Sequence, residues 1–326
     1  MLSRTADHLF WMARYMERAE NTARMLDVNY QTSLLPQSDA SARRLWQGLL
    51  SISELTSSFE QTYREASARN VMDFMVRDEA NPSSIGCCLR AARENARAVR
   101  GTLTTEVWET QNQTWLEFNR LLADGAFERD PGATFEWVKF RSHLSRGVTL
   151  GTMLQDEALH FLRIGTFLER ADNTARLLDV KYQALMGTGA AGEPGEDLTA
   201  ANEAHEVDFY HWSAILRSVS GFEIYRRVYR NVIRPEKVAE LLILRPDMPR
   251  SLAASMNEVV DNLKLVANAG SGETLRQAGR LQSSLQFGRI DEILDKGLHA
   301  YLTEFLDAVN RIGAGISRDF LVPVAA

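Results

Sequence analysis

Residues 17–31 read ERAENTARMLDVNYQ, and residues 169–183 read ERADNTARLLDVKYQ. Twelve of these fifteen positions are identical without a gap, at a constant offset of 152. Chance gives about one match in such a window, so the chain reads as a tandem duplication, and a repeat of this kind decides architecture before local propensity does. The same offset pairs His8 with His160. Further on, VMDFMVRDEANPSSI (71–85) aligns with VAELLILRPDMPRSL (238–252), at an offset of 167. The extra residues fit a Gly-, Ala- and acid-rich stretch beginning at Gly187, whose composition marks a loop insertion over about 187–201. Two helical repeats, 1–155 and 156–326, are therefore expected, packed about a pseudo-twofold axis as one integrated domain.

The spacing of apolar residues makes those repeats helical. Eight prolines leave long stretches uninterrupted, apolar residues fill them at helical periods, and alternating strand patterns are absent. The expected fold is all-α, a helical bundle. A first helix runs to about Leu34 and a second covers roughly 40–69. Asn81-Pro82 starts a third near Ser83, with Asn as cap and Pro at the first helical position. Asp130-Pro131-Gly132 precedes another through about Arg146, and the order recurs from about Gln155.

Several function classes fall away. With 37 basic and 43 acidic residues the net charge is −6, and no basic stripe suggests nucleic-acid binding. No apolar run reaches the roughly 18–20 residues of a membrane span. The opening MLSRTADHLFWMARYMERAENTAR is broken by Arg4, Asp7, Arg14, Glu17 and Arg18, which suits an amphipathic helix and not a signal peptide. Cys87 and Cys88 are adjacent, so they build neither a disulfide framework nor a thiolate zinc site. A cytoplasmic location is expected.

Drawn as a wheel at 100° per residue, the first helix has a core stripe of His8, Met12, Ala19, Ala23, Leu26 and Tyr30. Opposite lie Phe10, Glu17, Asn21, Arg24 and Val28, a polar centre between apolar ends, repeated as Leu162, Glu169, Asn173, Arg176 and Val180. A solvated face would be polar throughout, so this one reads as a buried or pocket-lining cluster whose charges must be paired. Glu17, Arg18, Asn21 and Arg24, with Glu169, Arg170, Asn173 and Arg176, are the candidate centre, either binding a ligand or partner or bracing the bundle. Glu20 with Arg24 and Asp172 with Arg176 stand four apart in the favourable order.

At these residues the chain resembles a known family. MLSRTADHLFWMARYMERAENTARMLDVNY, the Glu17-Arg18 and Glu169-Arg170 pairs, and RGVTLGTMLQDEALHFLRIGTFLERADNTARLLDVKY (146–182) are similar to the bacterial alpha-E family, helical proteins with a Glu-Arg motif. The segments at Pro82-Ser83-Ser84 and Pro249-Arg250-Ser251 share the likeness, which runs essentially end to end. The resemblance implies a non-catalytic helical subunit in a peptide-synthesis or peptide-tagging system. Its implied partners are a circularly permuted ATP-grasp ligase, a transglutaminase-like peptidase and a peptide product, with no cofactor of its own. A stand-alone enzyme with a carboxylate–His metal site, or an assembly scaffold, remain the alternatives.

Catalytic signals in the residues themselves are sparse. Gly187 to Gly192 spells G-x-G-x-x-G, yet it follows a helix instead of a strand, contrary to a dinucleotide site. Glu157-x-x-His160 fits one half of a di-metal motif, with Asp208-x-x-His211 a loose second, but Thr5 stands where the first copy would need Glu. Cys87-Cys88, near a helix start, could be served by His143 or His8 as base. The aligned second copy has Ala254 and Ser255, and the pair reads as packing. The six tryptophans read as core anchors.

Overall fold

The structure is a computed structural model that describes residues 1–36, 38–189, 211–230 and 232–321, the side chains of 181–189 excepted. Among the described residues all regular structure is helical. The first eight helices are α1 (Ser3–Ser33), α2 (Asp39–Ile52), α3 (Thr56–Thr62), α4 (Ala68–Val76), α5 (Ile85–Ala98), α6 (Thr105–Ala123), α7 (Ala126–Arg129) and α8 (Pro131–Thr152). The same order then returns as α9 (Glu157–Gly189), α10 (helical over 211–218), α11 (Phe222–Tyr229), α12 (Pro235–Ile243), α13 (Leu252–Val266), α14 (Gly272–Gln286), α15 (Ile290–Lys296) and α16 (Leu298–Phe320).

The correspondence extends to single contacts. His8 Nδ1 meets Asn95 Oδ1 at 2.8 Å, and His160 Nδ1 meets Asn262 Oδ1 at 2.8 Å. Ser84 caps α5 by accepting from Cys87 N, as Ser251 caps α13 by accepting from Ala254 N. Trp46 and Trp212 are both buried anchors, of α2 and α10. Both helices are followed by a left-handed residue, Glu54 (φ 54°) and Ser220 (φ 51°).

At the centre α1 packs along α9, α5 and α8 flank α1, and α13 and α16 flank α9 in the same way. This is a duplicated, pseudo-symmetric bundle. Because α1 has neighbours on several sides, both its apolar stripe and its polar face are buried, Glu17 and Glu20 being 1% and 0% exposed. The backbones of α1 and α9 approach closely at Gly165, where a Cβ would overlap the carbonyl oxygen of Phe10 and lie 3.1 Å from its carbon.

Two local expectations need correction. The helix expected over 40–69 is three helices, because Glu54 turns the chain after α2 and Ser67 caps a fresh start at α4. Ser84, not Asn81, is the cap of α5. Asn81 is fully buried, accepts from Ser83 N and donates to Phe74 O, closing the turn that precedes the helix. The insertion expected over about 187–201 falls, from residue 190 on, outside the described residues.

Candidate functional site: crossed Glu–Arg pairs

Neighbouring residues of a helix point about 100° apart, and the Glu and Arg of one motif do not face each other. Each reaches the other long helix instead. Arg170 donates from Nε and Nη2 to the two carboxylate oxygens of Glu17, both at 2.9 Å. Arg18 donates from Nε and Nη2 to Glu169, at 2.6 and 3.1 Å. Both pairs are bidentate, the geometry in which a guanidinium binds a carboxylate most strongly. Each motif thus supplies the acid for the other's base.

Their surroundings differ. Glu169 also accepts from Arg14 Nε at 2.7 Å, while Arg18 Nη1 reaches Ser83 Oγ at 3.4 Å. Burial would raise the Glu169 carboxyl, but Arg14 and Arg18 outweigh it and hold the group at about 2, against an ordinary 4.5. An acid that titrates lower in the folded chain is protonated first in the unfolded one. Its stabilisation is therefore complete above about pH 4.5 and is lost as the pH falls towards about 2. Urea unfolding across that range should lose about 3 kcal/mol through this group, and Glu169→Gln should remove that part of the pH dependence.

Glu17 sits in a larger cluster. Arg250, on the turn before α13, donates from Nη1 to Glu17 at 3.1 Å and to Asn21 Oδ1 at 2.8 Å, and from Nη2 to Glu20. Arg146 of α8 donates from Nη1 to Glu17 at 3.0 Å and to Glu20 at 2.5 Å. Glu20 further accepts from Arg24 Nε and Nη2, at 2.9 and 2.7 Å, and from Ser142 Oγ at 2.7 Å. Arg24 Nη1 also reaches Ser220 Oγ at 2.6 Å.

Burial opposes ionisation of Glu17, yet Arg170 and Arg250 keep its carboxyl below the usual range; Arg250 and Arg146 do so for Glu20. Burial pulls Arg250 down to about 10 against the pull of Glu17 and Glu20, with Arg170 and Arg24 adding to the fall, so it stays charged at neutral pH. His143 has Arg24 Nη2 at 3.2 Å from Nε2 and Arg146 Nη2 at 2.7 Å from Nδ1. Burial, opposed by Glu20 and joined by Arg146 and Arg24, favours its neutral form. Among the described residues, four guanidiniums (Arg24, Arg146, Arg170, Arg250) face two carboxylates (Glu17, Glu20), an excess of two positive charges. Asn21 Nδ2 is buried beside them and meets no acceptor.

Of the eight residues singled out in the sequence, Glu17, Asn21, Arg24 and Arg170 share this cluster, and Arg18 and Glu169 form the second. Arg176 stands apart, bonded to Asp172 at 2.8 and 3.1 Å and paired with Glu54, and Asn173 is half-buried. Sequence reasoning missed Arg14, Ser142, Arg146 and Arg250 as members, and read Glu20 only as the helical partner of Arg24. Two signals were available: at offset 167 Arg250 replaces Ser83 and Gly313 replaces Arg146, so at each place one copy carries a charge where the other does not.

The remaining candidates are not brought together. Among the described residues no group of three or more His, Cys, Asp or Glu is placed to hold a metal ion. Glu157 is exposed and pairs with the Met1 amino group at 2.5 Å, while His160 faces Asn262. Asp208 and residues 190–192 lie outside the described residues, and 187–189 are helical. Burial pushes the Cys88 thiol up to about 12, which removes the thiolate a nucleophile needs. His8 and His143 have the other partners described above.

Paired Glu-Arg motifs, in a chain whose regular structure is helical throughout the described residues, fit a family description. Residues 1–321 match Alpha-E, described as "a predicted alpha-helical domain with a conserved ER motif". The chain belongs to the Alpha-E family. This Alpha-E chain is also similar to uncharacterized proteins of Mycobacterium bovis and of two strains of Mycobacterium tuberculosis. Each is 24% identical over 330 residues, covering 94% of this chain and 35% of the relative. The chain thus spans about a third of the length of these relatives. No solved structure matches it. Among the described residues, no helix of this Alpha-E chain is long and apolar enough to cross a membrane.

Proposed function

We propose that this Alpha-E chain is a helical subunit of an ATP-grasp-dependent amide-ligase system, non-catalytic by itself, which docks the ligase through α8. The observation that carries a docking role is a set of large apolar side chains left uncovered on α8. Phe140, Leu144 and Leu150 are 67%, 45% and 58% exposed, and they fall within an arc of about 120° on one side of α8. A run of large apolar side chains in water marks an interaction surface. In the relatives, an Alpha-E-like region accounts for only 35% of the length and so is joined to a larger remainder, which supports work beside another domain. The identity of that domain as an ATP-grasp ligase rests on the family resemblance.

The Glu–Arg centre, Glu17, Arg18, Asn21 and Arg24 with Glu169 and Arg170, serves in this reading as the brace between the copies and not as the contact itself. Support comes from the direction of its strongest bonds, which join α1 to α9.

Affinity purification from the native host followed by mass spectrometry should recover the ligase in stoichiometric amount. Phe140→Asp with Leu144→Asp should lose it while leaving the melting temperature unchanged, since both side chains already face water. Recovery of the Alpha-E chain alone would overturn the reading. A stable oligomer of this chain through the same face would replace it with an assembly scaffold.

A further inference from the structure

The Glu17 cluster opens, through Arg146, into a cleft of about 120 Å³ between α1, α6, α8 and α9. Met12, Met16, Leu159 and Leu162 form buried apolar walls. Arg146 and Arg163 also line it, with side chains 28% and 34% exposed. Arg163 pairs through Nη2 with Glu258, but its Nε is buried and meets no acceptor.

The duplication shows how unusual this space is. At offset 167, the polar residues Gln111, Ser142, Ser145 and Thr149 on its rim correspond to Ala278, Val309, Ile312 and Ile316, all buried in the second copy. At offset 152, Thr166 and Arg163 correspond to Arg14 and Trp11, and Arg14 there reaches Glu169 and stacks on Trp11 at 4.9 Å. One copy fills three of these places with the branched apolar side chains Val309, Ile312 and Ile316 and adds an arginine; the other keeps the hydroxyl residues Ser142, Ser145 and Thr149 there and stays open. Core packing alone does not call for that difference, because the same backbone arrangement accommodates the filled version.

We propose that the cleft binds a small carboxylic acid carried on an apolar body of about six carbons. Size sets the body: an engineered cavity of roughly 150 Å³ takes benzene. Charge sets the head, since the adjoining cluster has two more guanidiniums than carboxylates and Arg163 Nε is unpartnered at the wall. A carboxylate needs only one guanidinium fork to replace its water. A phosphate would leave more oxygens against Met and Leu without partners. The proposal does not rest on the ligase reading, because the chain alone makes the whole cleft.

Titration calorimetry of the full chain with hexanoate and phenylacetate tests it, with hexanamide as the uncharged control. Both acids should bind saturably at one site, and hexanamide at least about tenfold more weakly. Arg163→Gln, which disturbs only a half-exposed ion pair, should weaken hexanoate by about tenfold at unchanged melting temperature. Ser145→Ile with Thr149→Ile installs the second copy's residues and should abolish binding in a folded chain. Absence of saturable binding by either acid, equal binding of hexanamide, or undiminished hexanoate binding by the filled variant would each overturn the proposal.

Discussion

Glu17→Ala should cost about 3–5 kcal/mol of stability, the range seen when one partner of a buried ion pair is removed. The carboxylate is 1% exposed and accepts from Arg170, Arg250 and Arg146. Its loss leaves four guanidiniums around Glu20 alone. Three of these have side chains only 8% exposed, so water cannot take over the missing bonds. The upper end of the range is expected, read as a shift of the urea midpoint. Glu169→Ala should cost less, because Arg14 and Arg18 are 18% and 27% exposed and can turn towards solvent. Combining Glu17→Ala with Arg170→Ala should cost less than the two single losses added together, since each variant orphans what the other removes. Additive losses would show that the pair is not coupled.

Gly165→Ala should also destabilise, against the usual trend. Within a helix, alanine is favoured over glycine by about 0.5–1 kcal/mol. Here the added methyl meets the Phe10 carbonyl, a backbone group that cannot rotate aside, so α1 and α9 must separate. Overpacking of this kind costs about 1–3 kcal/mol and sometimes more. The clash wins, and Gly165→Val should give little folded protein. Gly147→Ala on α8 is the control. A Cβ there meets nothing within 4 Å, so that change should raise stability by about 0.5–1 kcal/mol. If both alanine variants gained stability, the close approach at Gly165 would be refuted.

What could be foreseen from the residues follows the range over which each signal acts. The repeat at 17–31 and 169–183 is an identity within one string, so the twofold order of helices was visible. The polar side of α1 was legible too, because Phe10 and Val28 at the ends of that face are hard to place in water. The break after α2 was not, since Glu54 adopts its left-handed conformation without a glycine to announce it. The cap at Ser84 was misread because Asn81-Pro82 is the stronger local signature, while Asn81 is spent on the preceding turn. Arg146 and Arg250 reach Glu17 from 129 and 233 residues away. No local pattern encodes such a meeting. Comparison of the copies would have flagged both positions, where Gly313 stands for Arg146 and Ser83 for Arg250.

The crossing of the Glu-Arg motifs bears on what a half-length chain could be. In neither copy do the Glu and Arg of the motif pair with each other, so one copy alone would present an acid and a base that each lack their bidentate partner. Two such copies would supply each other across a true twofold axis, an isologous interface of the commonest kind. In that dimer every position would occur twice, and any opening beside the motif would be filled on both sides or empty on both. Joining the copies in one chain removes that constraint: one flank can become solid support while the other is freed to keep a cleft.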